Sequence, residues 1–255
     1  MRRSIDLNAD LGEGYGPWTM GDDAALLALV TSANVACGGH ASDPETMFRT
    51  LVLARERSVT VGAHPSYPDR EHFGRRRLPY PPADIERFVA AQTGALLAIA
   101  SLVGVRVAYV KPHGALANVA SEDDAVAEAI VRSVRAVDPG LAILAISGTA
   151  LEQAARQDGV PVFSEIYADR GYNDEGNLVP RGQPGALIED AEGATERLLR
   201  FLDTGRMPTV TGGEVALGAH SICIHGDSPH ALAMARRIRD AIEVRGIALA
   251  PFLPC

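Results

Sequence analysis

Short runs of β-branched residues and alanine alternate along the chain with longer stretches whose apolar residues recur at helical spacing. The short runs predict strands at residues 4–8, 33–36, 59–63, 105–110, 141–146, 160–166 and 221–225, with a weaker eighth at 247–250. The longer stretches predict helices at 22–31, 44–57, 82–103, 123–137, 150–157, 186–202 and 229–245. Start signals agree: Asp43-Pro44 and Ser228-Pro229 each place a side-chain acceptor before a proline at the first helical position. Ser121-Glu122-Asp123-Asp124 supplies an N-cap and an acidic first turn to the helix behind it. Strand followed by helix, seven or eight times over this length, favours a closed TIM-like (β/α) barrel over an open parallel sheet. No linker, repeat or low-complexity tract interrupts the 255 residues, so a single domain spanning 1–255 is expected. The polar, glycine-rich stretch 167–184 is long for a strand-to-helix loop and reads as functional.

Composition narrows the picture. A hydrophobic fraction of 47% with 22% charged residues is that of a soluble globular protein, and a net charge of -8 argues against nucleic-acid binding. Cys37, Cys223 and Cys255 form no CxxC pair, so neither a disulfide framework nor a cysteine zinc site is expected, and Cys223 and Cys255 read as structural or incidental. The start MRRSIDLNADLGEG has two arginines with no apolar stretch behind them, unlike a signal peptide. The apolar run 94–105 is too short to span a bilayer, so a cytoplasmic protein with no membrane partner is expected. Of the 24 basic residues only Lys111 is a lysine, and a compact ammonium kept among arginines suits a tight site.

The chemically able residues track the strands. Asp6, Asn8, Asp10 and Glu13 go with the first; Asn34, Cys37 and His40 with the second; His64 and Asp69 with the third. Lys111 and His113 follow the fourth, Glu165, Asp169 and Arg170 the sixth, and His225 and Asp227 the seventh. In a (β/α) barrel the loops after the strands converge on one face, where active sites are built. Asp6, Asn8 and Asp10 share one strand face, and acids turned inward need water, a partner or a cation. Gly38-Gly39 permits a tight turn that returns His40 over the barrel mouth. His40 and His64 suit hydrogen-bonded or acid–base work; metal binding is the alternative, but no HxxxH or HExxH spacing supports it, and no metal ligand is assigned. Pro112 fixes a corner between Lys111 and His113, where Lys111 suits neutralising a phosphate or carboxylate, with a nucleophilic amine as the alternative. Ser228-Pro229 also opens a helix N-terminus able to take an anion, while His230 reads as a surface residue. There is no P-loop, no GxGxxG and no GxSxG elbow.

Six motifs in order resemble the LamB/YcsF family over nearly the whole chain: DLNADLGEG, SANVACGGHASDP, GAHPSYPDREHFGRR, VKPHGAL, EIYADRGYNDEGNLVPRG and ICIHGDSPHA. Two positions depart from the family pattern: Gly39 stands where Phe is common, and Ala117 where Tyr is. The resemblance implies a (β/α) barrel related to the glycoside hydrolase/deacetylase superfamily. It also implies the A subunit of an ATP-dependent 5-oxoprolinase, which opens 5-oxoproline (pyroglutamate) to L-glutamate. ATP would be the co-substrate, with Mg²⁺ accompanying the nucleotide, and subunits B and C the partners. A poorly electrophilic lactam bearing a carboxylate needs a cationic anchor, activation of its oxygen and a positioned water. On this reading Lys111, assisted by Arg70 or Arg181, meets the substrate carboxylate or phosphate. Asp10 or Asp6 orients the water, and His40, His64 or His113 carries protons. Asn8, Glu13, Asn34, Glu165, His225 and Asp227 complete the binding surface, and Asp169 and Arg170 help close it. Two other functions fit the same residues: a metal-dependent, deacetylase-like hydrolase, and a non-catalytic scaffold subunit.

Overall fold

The computed structural model describes residues 4–224 and 231–253. Strands β1 (Ser4–Leu11), β2 (Ser32–Ala36), β3 (Thr60–His64), β4 (Val107–Val110), β5 (Ala142–Ile146) and β6 (Val162–Tyr167) pair in chain order, all parallel. A short antiparallel hairpin, β7 (Arg206–Pro208) and β8 (Glu214–Ala216), precedes β9 (Ser221–Ile224). β9 pairs with both β6 and β1 and so closes a seven-stranded barrel. The weak eighth strand survives only as β10 (Ala248–Leu249), which pairs with Ser4 and Ile5 at the start of β1.

The outer layer is α1 (Asp23–Leu26), α2 (Pro44–Glu56), α3 (Pro82–Val103), α4 (Gly114–Glu122), α5 (Asp124–Val137), α6 (Ala150–Gln157), α7 (Ala191–Thr204) and α8 (Ala231–Val244). α3 is long and apolar enough to cross a membrane, yet its Ile85, Val89, Leu96 and Ala100 are buried in the layer it forms with α2 and α5. α2 starts as its sequence signals: the Asp43 carboxylate accepts from the N–H groups of Glu45 and Thr46, and Pro44 opens the helix. A further N–H from Gly16, with those caps, draws the Asp43 carboxyl down to about 2.

Three expectations are corrected. The helix expected at 22–31 is a single turn, because Thr31 leaves it for β1, its N–H donating to Leu7 and its hydroxyl to Asp6. α7 begins at Ala191, capped by the Asp190 carboxylate; the residues before it pair back on the long loop, Leu187 against Arg170. Ser121 is no cap: it lies within α4, an unexpected helix, and donates to the Ala117 carbonyl, while Asp123 caps α5. The helix start at Ser228-Pro229 lies outside the described residues.

β1 shows how the barrel divides its two faces. Ile5, Leu7, Ala9 and Leu11 enter the apolar layer between sheet and helices, while Asp6, Asn8 and Asp10 turn inward. At one end of the interior, Tyr109, Leu144, Phe163 and Phe252 form an apolar plug. The Tyr109 ring lies so close over Gly62 that a Cβ there would sit 2.2 Å from it, and its hydroxyl donates to Asn34 Oδ1 at 2.7 Å. Gly62→Ala is therefore expected to cost about 1–3 kcal/mol through overpacking. Urea unfolding checks this, and a variant as stable as the parent would show that the ring can move aside.

Candidate active site

Asp6 is fully buried within the barrel. Its carboxylate accepts from Thr31 at 2.5 Å, from Ser32 at 2.6 Å and from Ser221. Burial nevertheless raises the group to about 6, the hydroxyls pulling the other way.

One layer nearer the mouth lies the Lys111 ammonium. It is 3.1 Å from Asp10 Oδ1 and from Glu165 Oε2, 3.2 Å from Asn8 Oδ1 and 3.0 Å from Cys223 Sγ. Asn34 joins Asn8 to Asp10, donating to both side chains, and the Tyr167 hydroxyl donates to Glu165 at 3.0 Å. Burial opposes the lysine's charge, but Asp10, with Cys223 and Glu165 behind it, holds it well above its ordinary value. Glu165 itself is raised by burial, with Lys111 opposing. With only 1% of its surface exposed, Lys111 neutralises the protein's own carboxylates. The expectation that it meets a substrate charge is corrected accordingly. Cys223, expected to be structural or incidental, belongs to this network.

Among the described residues, three histidines lie above that layer. His64 ends β3 and donates from Nδ1 to the Lys111 carbonyl at 2.7 Å. His113, held beyond Pro112, donates from Nε2 to the Phe73 carbonyl at 3.0 Å. The opposite nitrogens, His64 Nε2 and His113 Nδ1, face each other at 3.0 Å, and His64 Nε2 is 3.3 Å from Asp10 Oδ1. His40 donates to Glu13 Oε1 at 3.0 Å and stacks on His113 with centroids 3.7 Å apart. Burial and the neighbouring imidazoles push His40 and His113 well below the ordinary imidazole value. This close packing needs glycine where two loops cross. A Cβ at Gly114 would meet the Gly74 carbonyl at 2.7 Å, and one at Gly74 would press on His40.

Above the histidines opens a cavity of about 250 Å³, its floor formed by Asp10, His64 and His113 and its walls by Tyr167 and Ala117. Arg75, Arg170 and Arg181 give it a basic rim. The volume falls below the ~300–1,000 Å³ of pockets for drug-sized ligands, so it suits a small molecule. Tyr167, Arg170, Leu178, Pro180 and Arg181 of the loop at 167–184 form part of the wall. Arg170 pins that loop by donating to the carbonyls of Val179 and Ala186.

Among the expected site residues, Asp10, His64, His113, Arg170 and Arg181 line this cavity. His40 and Glu13 stand beside it, lining an adjoining hollow. Asn8, Asn34 and Glu165 lie beneath the floor, bonded to protein groups. Asp6 is too deep to reach a ligand there, which removes it as a base. Arg70 points away, donating to the Gly38 and Ser42 carbonyls over the Tyr15 ring in that hollow. Asp169 does not line the cavity, and His225 and Asp227 lie outside the described residues. Arg75 and Tyr167 were missed. Arg75 is hidden in the run Arg75-Arg76-Arg77, whereas Tyr167 shares strand parity with Glu165 and was legible. Of the two family departures, Ala117 bears on the cavity; at Gly39 any Cβ would collide with Gln92 and Ser66.

A closed parallel barrel with an ionisable cluster at the carboxyl ends of its strands, under a basic rim, has the layout of a (β/α)-barrel enzyme. The chain belongs to the LamB/YcsF family, whose pattern matches residues 5–254. It is 48% identical over 251 residues to the A subunit of 5-oxoprolinase from Azorhizobium caulinodans, covering 98% of this chain and 99% of that one. To the protein of the same name from Gluconobacter oxydans it is 50% identical over 247 residues, covering 97% of each. Among solved structures, the lactam utilization protein of Thermus thermophilus matches with a TM-score of 0.91 at 41% identity, over 97% of this chain and 99% of that one.

The buried charges make stability sensitive to substitution and to pH. Lys111→Met leaves Asp10 and Glu165 without their cation and is expected to cost about 3–5 kcal/mol in urea unfolding. Lys111→Arg should not restore the loss, because a planar guanidinium does not fit an ammonium's place. Asp6 has a folded value above its unfolded 3.8, so its contribution is greatest below pH 4 and declines as pH rises to about 6. Asp6→Asn should therefore gain about 3 kcal/mol relative to the parent between pH 4 and pH 7. A difference constant across that range would mean that Asp6 titrates normally.

Proposed function

We propose that this chain is the lactam-binding subunit of an ATP-dependent 5-oxoprolinase, opening 5-oxoproline to L-glutamate while ATP becomes ADP and phosphate. Its partners on this reading are subunits B and C, and Mg²⁺ accompanies the nucleotide. One observation carries the proposal: a small cavity sets a carboxylate, Asp10, opposite the exposed arginines Arg75 and Arg181. A ring of 5-oxoproline's size fits, with its carboxylate toward the arginines and its amide carbon over Asp10. The names borne by relatives near half identical to this chain support the same substrate.

The chemistry follows from the lactam's stability. Transfer of the γ-phosphoryl group from ATP to the lactam oxygen makes the amide carbon electrophilic. Water then adds to that carbon, giving its proton to Asp10. The C–N bond breaks, the nitrogen takes up a proton, and a second water releases phosphate from the new carboxyl. Lys111 keeps Asp10 in place beneath this event. The imidazole pair next to Asp10 supplies the electrophilic side of the reaction through a shared proton, which a cation held by the pair would replace.

The test is glutamate and ADP release from 5-oxoproline and ATP by this chain reconstituted with subunits B and C. Asp10→Asn is expected to lower kcat by about 10²–10⁴-fold, the usual worth of a positioned base. Arg75→Ala should mainly raise KM. Turnover unchanged in both variants, with the complex intact, would leave the barrel a scaffold for its partners.

A further inference from the structure

Lactam hydrolysis alone leaves unexplained why two histidine nitrogens, each on the side of its ring away from a bonded backbone carbonyl, meet at 3.0 Å. A carbonyl oxygen can only accept, so the Lys111 carbonyl fixes hydrogen on His64 Nδ1 and the Phe73 carbonyl fixes it on His113 Nε2. In the neutral rings, His64 Nε2 and His113 Nδ1 then each present a lone pair to the other at 3.0 Å. Two lone pairs at that distance repel unless a positive centre joins them. Backbone carbonyls that orient imidazoles from behind are what metal-ligating histidines commonly have.

We propose that His64 Nε2, His113 Nδ1 and Glu13 Oε1 bind one first-row divalent cation of the zinc class, with His40 positioning the carboxylate. Zinc bonds of about 2.0–2.1 Å at tetrahedral angles put ligand atoms about 3.3 Å apart. The two ring nitrogens lie 3.0 Å apart and Glu13 Oε1 lies 3.7 Å from His113 Nδ1, which brackets that spacing. The His64 and His113 rings are inclined at 86°, so their in-plane lone pairs can converge on one point.

His40 belongs to the same cluster but plays a different part. Its ring is parallel to that of His113 within 3°, so lone pairs in the two planes cannot meet on one ion. Its Nε2–H instead holds Glu13 at 3.0 Å. Two histidines and one carboxylate leave coordination positions open, and His64 and His113 line the cavity from which a water or substrate oxygen would fill them. Imidazole donors also separate this cation from nucleotide-bound Mg²⁺, which prefers oxygen ligands.

The test uses the full chain alone, without substrate or partners, so its failure is distinguishable from failure of the oxoprolinase reading. Chelator-treated protein titrated with Co²⁺ is expected to develop a visible d–d band saturating at one ion per chain. Zn²⁺ should abolish the band, and excess Mg²⁺ should leave it. His64→Ala and His113→Ala should lose it, with circular dichroism confirming the fold. His40→Gln should weaken binding about 10–100-fold. His72→Ala, at an exposed histidine outside the cluster, should change nothing. No stoichiometric Co²⁺ or Zn²⁺ binding by the parent chain overturns the proposal and leaves a shared proton between the rings. A band that survives in the folded His64→Ala, His113→Ala double variant overturns it equally.

Discussion

The ammonium of Lys111 stands where two carboxylates, Asp10 and Glu165, would otherwise face each other inside a closed barrel. Such charges are costly to bury alone and tolerable only when paired and hydrogen-bonded. Each neighbour contributes: Asn34 donates to Asp10, Tyr167 donates to Glu165, and the Asn8 oxygen accepts from the ammonium. A compact charge on a flexible stem reaches between β1, β6 and β9 at once, which a rigid guanidinium would not. This accounts for one lysine in a chain that otherwise uses arginine.

That network also sets the mouth. The carbonyl of Lys111 orients His64, and Pro112 turns the chain so that His113 comes back beside it. The loop carrying Phe73 and Gly74 closes over both, orienting His113 in its turn. Backbone groups therefore determine the ring tautomers, and the side chains' remaining nitrogens are left to the site. The floor sets the Asp10 carboxylate beside two imidazoles, and the exposed Arg75 and Arg181 make the rim basic. Such a cavity can fix an anion at one end and do chemistry at the other.

The proposed lactam hydrolysis and the proposed cation binding share this geometry but rest on different parts of it. Hydrolysis would draw on Asp10, the arginine rim and the size of the cavity. Cation binding would draw on His64, His113 and Glu13. A cation there would lie beside Asp10, within reach of an oxygen in the cavity.

Much of the fold was legible in the sequence because local patterns decide it. Alternation in β1 separated Asp6, Asn8 and Asp10 from their apolar neighbours, Asp43-Pro44 marked a helix start, and repeated strand–helix order called for a barrel. The ionisable residues behind the strands do gather at one face, around a single cavity. Which of those residues meet a ligand was a matter of depth and direction, and no linear pattern encodes either. Asp6 and Asp10 share a motif and a strand face, yet one lies saturated with hydroxyls and the other floors the cavity. Arg70 and Arg75 sit five positions apart on one loop, and only the loop's path over Gly74 sends the second to the rim. Sequence set which groups were available, because residue type and local period are properties of the chain. Only the tertiary structure decided which charges cancel and which face the cavity, because pairing energies depend on distances across strands far apart in sequence.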